Sequence, residues 1–260
     1  PVNSVKSPAL DLNHMKDTYH LTAFQVRLRE VVRQKAESGI LYEATKLRSL
    51  LELNEPQLPQ LESHEDFKVI DFMDFQEHLE SSISANGIQN TLIITRSNLM
   101  ANKFNDQIRI QSLWMEEEIS VGDLVMITKN NYYWSEKNKS ALSFIANGDV
   151  AEVVDIKREE KLHGFRFATL RIKFPDYDKI FPLEVLANLD SIHVNGPSLT
   201  SAETNKLYTD LLIEYAEENN PKRKVMMDPH FNALQLKFAY AITCHKSQGG
   251  QWDTVFIDGS

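Results

Sequence analysis

Near the end of the chain, the run from Lys237 to Asp258, KFAYAITCHKSQGGQWDTVFID, sets two short continuous apolar segments on either side of a polar, glycine-bearing turn. A strand that is apolar along its whole length is buried on both faces, which is the condition of a parallel sheet covered on both sides. Open sheets of that kind bind ligands at the carboxyl edge of their strands. Here that edge would carry Thr243, His245, Lys246, Ser247 and Gln248. Their hydroxyl, amide and ammonium groups, with the backbone N–H groups around Gly249 and Gly250, are donors suited to phosphate oxygens. The alternative is that these residues only open a solvent-exposed helix, since such starts are routinely polar.

The same logic recurs upstream. LIIT, Leu92 to Thr95, is a continuous apolar run, and Ser97 or Asn98 can cap a following helix in which Met100, Phe104 and Ile108 repeat every four residues. A buried strand feeding a helix is an α/β signal. Between Leu21 and Leu51 the apolar spacing is helical, and Ser38-Gly39 divides it into two helices. NEPQLPQLESHED reads as a surface linker, FKVIDF as a short strand and Asp74 to Ser84 as a helix. From Ser120 to about Asp190 the texture changes to closely spaced strands: LVMIT, VAEVVDI after an Asn147-Gly148 turn, FRFATLRIKF and KIFPLEVL. Such spacing predicts a small β-barrel. Because α/β signals lie on both sides of it, the barrel is expected as an insertion over residues 119–199, with 1–118 and 200–260 as the two parts of one α/β domain. SAETNKLYTDLLIEYAEE predicts a helix, and NNPKRKVMMDPHFN a loop carrying Lys222, Arg223 and Lys224.

Composition narrows the function classes. A formal net charge of -9 excludes a protein that holds nucleic acid by bulk positive field, although a local phosphate-binding groove remains compatible with it. The single cysteine, Cys244, excludes internal disulfides and a Cys-rich zinc site, and fits a reducing, cytoplasmic compartment. No apolar run approaches the roughly 20 residues that a membrane-spanning helix needs, so no membrane partner is expected. The chain opens at Pro1 without methionine and stops just after TVFID, which reads as a piece of a longer protein.

TCHKSQGGQWDTVFI closely resembles motif V of superfamily 1 helicases, in the T-x-H-K-[SA]-Q-G-x-[EQ]-[FW]-D-x-V-[FI] form of the RecD-type DNA helicases, the family linked to exodeoxyribonuclease V alpha subunits. The resemblance implies a RecA-like second motor domain, of the P-loop NTPase type, with a parallel sheet. Carried over, Thr243, His245 and Lys246 would face the DNA backbone, and Gln248, Gly249 and Gln251 would lie toward the nucleotide. Many relatives have Glu where this chain has Gln251; an amide still accepts a hydrogen bond from a ribose hydroxyl, without the carboxylate's charge.

Two further segments resemble the same family in the right order. LREVVRQKAESGILYEATKLR is similar to the stretch holding the L-x-x-x-x-RQ motif, whose arginine reaches the γ-phosphate of ATP; here that is Arg33, the expected catalytic residue, with Gln34 beside it. A guanidinium suits the task because its planar fork stays charged and binds phosphate in a bidentate manner. LIITRSNLMANKFNDQIR resembles the strand and helix start that presents T-R-[ST]-N to DNA, which makes Thr95, Arg96 and Asn98 candidates for phosphate or sugar contacts. GDLVMITKNNYYW and FIANGDVAEVVDI resemble the SH3-like barrel inserted in that motor domain. Tyr132, Tyr133 and Trp134 are then either base-stacking residues or barrel core.

The resemblance implies an ATP-dependent DNA helicase that translocates on single-stranded DNA, 5′ to 3′ in this group. ATP and Mg²⁺ would be bound mainly by the N-terminal motor domain of the same chain. No G-x-x-x-x-G-K-[ST] phosphate loop occurs in these 260 residues, so this stretch alone is expected not to hydrolyse ATP. Two alternatives stand beside this reading: a non-catalytic nucleic-acid- or protein-binding module derived from a helicase domain, and another P-loop phosphotransferase.

Overall fold

Asp11, Ser38, Ser97, Thr200 and Asn220 each begin a helix in the way their short polar side chains favour, by accepting a backbone N–H left free in the first turn. The computed structural model describes residues 8, 11–24, 26, 38–51, 53, 57–177 and 179–259. It divides into two units, Pro1–His78 and Leu79–Ser260. Arg33, Gln34 and the first of the two helices expected before Leu51 lie outside the described residues.

In the first unit, Asp11 caps α1, Leu12–Tyr19. Ser38 opens α2, Gly39–Leu51: its hydroxyl accepts from the Leu41 N–H at 3.3 Å and donates to Asp66 Oδ2 at 2.6 Å, while the Gly39 N–H donates to Asp66 Oδ1 at 2.8 Å. That pair of bonds, the Ser38 hydroxyl first, holds the Asp66 carboxyl below its ordinary range. A Cβ on Gly39 would sit 2.2 Å from His64 Cβ, so only glycine admits the approach. FKVIDF, expected as a strand, is irregular instead, with Val69 55 % exposed. An apolar stretch becomes a strand only where a ladder partner exists, and here the Val69 N–H bonds to the Ser63 hydroxyl at 3.0 Å.

Helix α3, Phe75–Asn86, leads into the second unit, where β1, Thr91–Thr95, is followed at once by α4, Asn98–Gln107. Ser97, rather than Asn98, caps α4 by accepting from the Met100 N–H at 3.2 Å. The helix loosens into a π turn at Ile108–Ser112. The chain then enters β2, Leu124–Ile127, passes through the short helix α5, Tyr133–Lys137, and runs through β3, Val150–Leu162, β4, Phe165–Lys173, and β5, Leu183–Asn188. Along β4, Leu170 and Ile172 are buried and Arg171 and Lys173 exposed, the alternation of a strand with one face on the core.

Helix α6, Ser201–Glu214, starts with a capping box between Thr200 and Glu203. PKRKVM, expected as loop, forms α7, Pro221–Met226, with Asn220 as cap and proline in the first turn, where its missing N–H costs nothing. The last strands are β6, Leu234–Phe238, β7, Ala241–Thr243, and β8, Thr254–Ile257.

These strands form a three-stranded parallel sheet, order β7-β1-β8, and a closed five-stranded barrel, order β2-β3-β4-β5-β6. The fold is therefore mixed α/β with a small barrel. Four barrel strands fall inside 119–199, but the fifth, β6, comes from Leu234–Phe238, where it pairs antiparallel with β2 and parallel with β5. The run LQLKFAYAIT thus serves both sheets: Phe238 pairs with Val125 in the barrel, and three residues on Ala241 pairs with Ile93 in the parallel sheet.

Buried polar groups on α4, on the π turn that follows it and just before β2 hold this crossing. Asn105 donates to Phe238 O at 3.3 Å and to Ala241 O at 3.0 Å, and accepts from the Ala241 N–H at 2.7 Å. Between those residues Tyr240 donates its hydroxyl proton to Asp123 Oδ1 at 2.9 Å and accepts from the Leu124 N–H at 3.0 Å. Arg109 closes the group with bonds of 2.8 and 3.0 Å to the two Asp123 oxygens and lies 4.2 Å over the Phe238 ring. Burial and the neighbouring Asp123 charge push the Tyr240 phenol far above its ordinary range, so it stays a donor.

Candidate nucleic-acid interface

Strands β1 and β7 are adjacent, parallel and in register, with Thr95 opposite Thr243. The two donor-bearing segments, T-R-S-N at residues 95–98 and the turn that begins at Thr243, therefore leave the sheet side by side at its carboxyl edge. Backbone bonds tie them: the Cys244 N–H donates to Thr95 O at 3.0 Å, and Cys244 Sγ lies 3.3 Å from the same oxygen. Cys244 was not among the expected site residues, and a lone cysteine in a polar turn gives no signal of this tie.

Thr95 is fully buried and its hydroxyl donates to Ser97 O at 2.9 Å, so it sets the corner from which exposed Arg96 and half-buried Asn98 follow. Thr243 is also buried, and its carbonyl accepts from the Lys246 N–H at 2.8 Å and the Ser247 N–H at 3.2 Å. Residues 244–249 therefore form consecutive turns rather than a helix. His245, Gln248, Gly249 and Gln251 are exposed. Gly249 has φ +90°, in the region that glycine alone adopts at no steric cost, and nothing lies within 4 Å of where its Cβ would be. The neighbouring Gly250 is exposed too, but a Cβ there would fall 2.0 Å from the Trp252 ring, and its N–H already donates to Ser247 O at 3.2 Å. Of the N–H groups expected to face phosphate around the two glycines, that of Gly250 is committed inside the turn.

Lys246 leaves the group. Its ammonium donates to Asn147 Oδ1 in the barrel, and burial pushes its pKa below that of an ordinary lysine. Asn147 itself donates its N–H to Asn130 Oδ1 at 2.8 Å, so the edge of the sheet and the barrel turn are joined through one side chain. The aromatic run splits. Trp134 is buried with Nε1 donating to Asn232 O at 2.8 Å, Tyr133 packs edge-on against it, and Tyr132 is exposed. Among the described residues no cluster of three or more His, Cys, Asp or Glu side chains could hold a metal ion, and no helix is long and apolar enough to cross a membrane.

A parallel sheet whose carboxyl edge collects Arg, His, Asn and Gln beside a small closed barrel defines a mixed α/β module. Residues 238–260 match the family model of the UvrD-like helicase C-terminal domain, which supports a superfamily 1 helicase relationship. Comparison with curated proteins finds no match.

Proposed function

We propose that the chain is the second motor domain of a cytoplasmic, ATP-dependent DNA helicase of the RecD type, gripping single-stranded DNA and moving 5′ to 3′ along it. The observation that carries this reading is the register of Thr95 with Thr243, which sets two motif-like segments about 150 residues apart in sequence on one edge. In this proposal Arg96, Asn98 and His245 hold phosphate or sugar groups, and Thr95, Thr243 and Lys246 fix the backbone and the barrel turn from which the others reach the strand.

ATP with Mg²⁺ supplies the energy for movement when bound, held in the main by the N-terminal motor domain of the same chain. The exposed amides of Gln248 and Gln251, with the open backbone at Gly249, fit polar contacts to a nucleotide from this side. Arg33 is assigned to the γ-phosphate and Gln34 to its vicinity. Movement requires that the edge bind DNA with different affinity in two states of the motor, because only a difference in affinity shifts such an equilibrium.

The test uses the full-length protein with a fluorescein-labelled oligothymidine. Replacing Thr243→Ala and His245→Ala together is expected to weaken binding by about 10-fold or more, the loss of the His245 hydrogen bond to a charged group together with the loosening of the turn that Thr243 sets. Arg33→Ala is expected to bind the strand almost normally and to lose ATP turnover. Normal turnover by Arg33→Ala removes the γ-phosphate assignment, and robust ATP hydrolysis by the 260-residue chain alone overturns the division of labour between the two motor domains.

A further inference from the structure

We propose that the barrel carries a base-stacking platform, Tyr132 backed by Phe144, which extends the single-strand track from the sheet edge across the Lys246–Asn147 contact; the inference rests on the nucleic-acid reading of that edge. Tyr132 is 61 % exposed, yet its ring is not loose. It stacks on half-buried Phe144 with centroids 5.1 Å apart and planes at 30°. One face of Tyr132 is thus fixed against the barrel and the other is open to solvent, the arrangement that lets a base add a further layer at little ordering cost.

The position of the pair follows from a single antiparallel bridge, Asn131 with Ile145. Asn147 bonds through its N–H to Asn130, and Asn131 and Ile145 exchange both backbone bonds at 2.8 Å. The next pair outward is Tyr132 with Phe144. From Asn147, which holds the Lys246 ammonium, to Phe144 is three residues through a bend and a turn, at most about 10 Å. A strand of a few nucleotides lying on the sheet edge and continuing past Lys246 arrives at the open face of Tyr132.

Charge favours the same partner. In a chain of net charge -9, the segment 129–147 carries Lys129, Lys137 and Lys139 against Glu136 alone, a local excess of two positive charges. Lys129 and Lys139 are exposed, and Lys137 lies 4.6 Å over the Trp134 ring, at the protein's own aromatic wall. The nearest downstream carboxylate, Asp149, is engaged with the Ala146 N–H and the Tyr177 hydroxyl. An aromatic face inside a basic stretch is the recurrent device for holding single-stranded nucleic acid without reading its sequence. Tyr133 and Trp134 take no part, because Trp134 is 5 % exposed and Tyr133 packs against it.

The experiment compares two labelled oligothymidines, one of about 4 nucleotides, which covers the sheet edge only, and one of about 15, which reaches the barrel. Tyr132→Ala is expected to weaken binding of the long oligonucleotide about 10-fold and leave the short one unchanged, while Tyr132→Trp keeps or tightens long binding. Equal affinity of Tyr132→Ala and the unaltered protein for the long oligonucleotide overturns the platform while leaving the sheet-edge track standing. If the unaltered protein binds neither oligonucleotide, the track itself is wrong and the platform falls with it. Loss of binding by Tyr132→Trp as well as by Tyr132→Ala also overturns the proposal, since a role in folding and not stacking then accounts for the effect.

Discussion

Lys246 and Lys237 both keep an ammonium under cover without a carboxylate, and they differ in what that cover does. Lys246 meets an amide oxygen of Asn147, 99 residues earlier in the chain. Its type was legible in TCHKS as a donor; its partner was not, because an Asn-Gly pair announces a turn and says nothing of what approaches it. Lys237 is 4 % exposed and donates to the carbonyls of Ile192 and Val194. Burial lowers its pKa to about 8 from an unfolded value of 10.5. Below about pH 8 both states hold the proton and no pH dependence arises from this group. Between about pH 8 and 10.5 the unfolded chain holds more protons, so its contribution to stability rises with pH. Urea unfolding at about pH 7 and pH 9.5 should show the unaltered protein gaining on Lys237→Met across that interval. Parallel changes in the two proteins would show that Lys237 titrates normally.

At the scale of elements, the crossing from β6 to β7 depends on Arg109, Asp123 and Tyr240. Asp123→Ala leaves the Arg109 guanidinium buried with only Glu117 O and the Ser120 hydroxyl, and should cost about 3–5 kcal/mol in urea unfolding. Tyr240→Phe removes the acceptor of the Leu124 N–H and should cost about 1–3 kcal/mol. If both substitutions change stability by less than about 0.5 kcal/mol, the network does not hold the crossing. By comparison Thr200→Ala should cost only about 1 kcal/mol, the ordinary value of a helix cap. Strands β1, β7 and β8 were legible because continuous apolar runs bounded by polar turns have few other uses. The division of KFAYAIT was not, since the break at Ala239-Tyr240 has the same apolar texture as its flanks and is imposed by Asn105, 133 residues before Phe238. FKVIDF errs in the other direction, having the composition of a strand and, among the described residues, no ladder partner.

For the whole molecule, the acidic net charge and a cationic edge together set how binding responds to salt. Arg96, the one permanent cation assigned to the strand, predicts a log affinity against log salt slope of about -0.7, the contribution of each phosphate neutralised on a single strand. Arg96→Ala should flatten the slope by about 0.7, measured by anisotropy between about 50 and 200 mM salt. An unchanged slope would remove Arg96 from the interface. The mixed α/β architecture and the barrel were readable in the alternation of textures along the chain. The barrel's fifth strand was not, because its membership depends on a return from beyond two helices, and local pattern carries no record of so distant a partner.

That return also has a consequence for how the protein is made. A ribosome delivers β2 to β5 first, and roughly 45 further residues separate Asn188 from Leu234. At about 5–20 residues per second the nascent barrel waits several seconds with the outer edges of β2 and β5 unpaired. Through that interval it is an open, apolar, adhesive sheet, the kind of species chaperones shield. Slower translation across α6 and α7 would lengthen the exposure and lower the soluble yield.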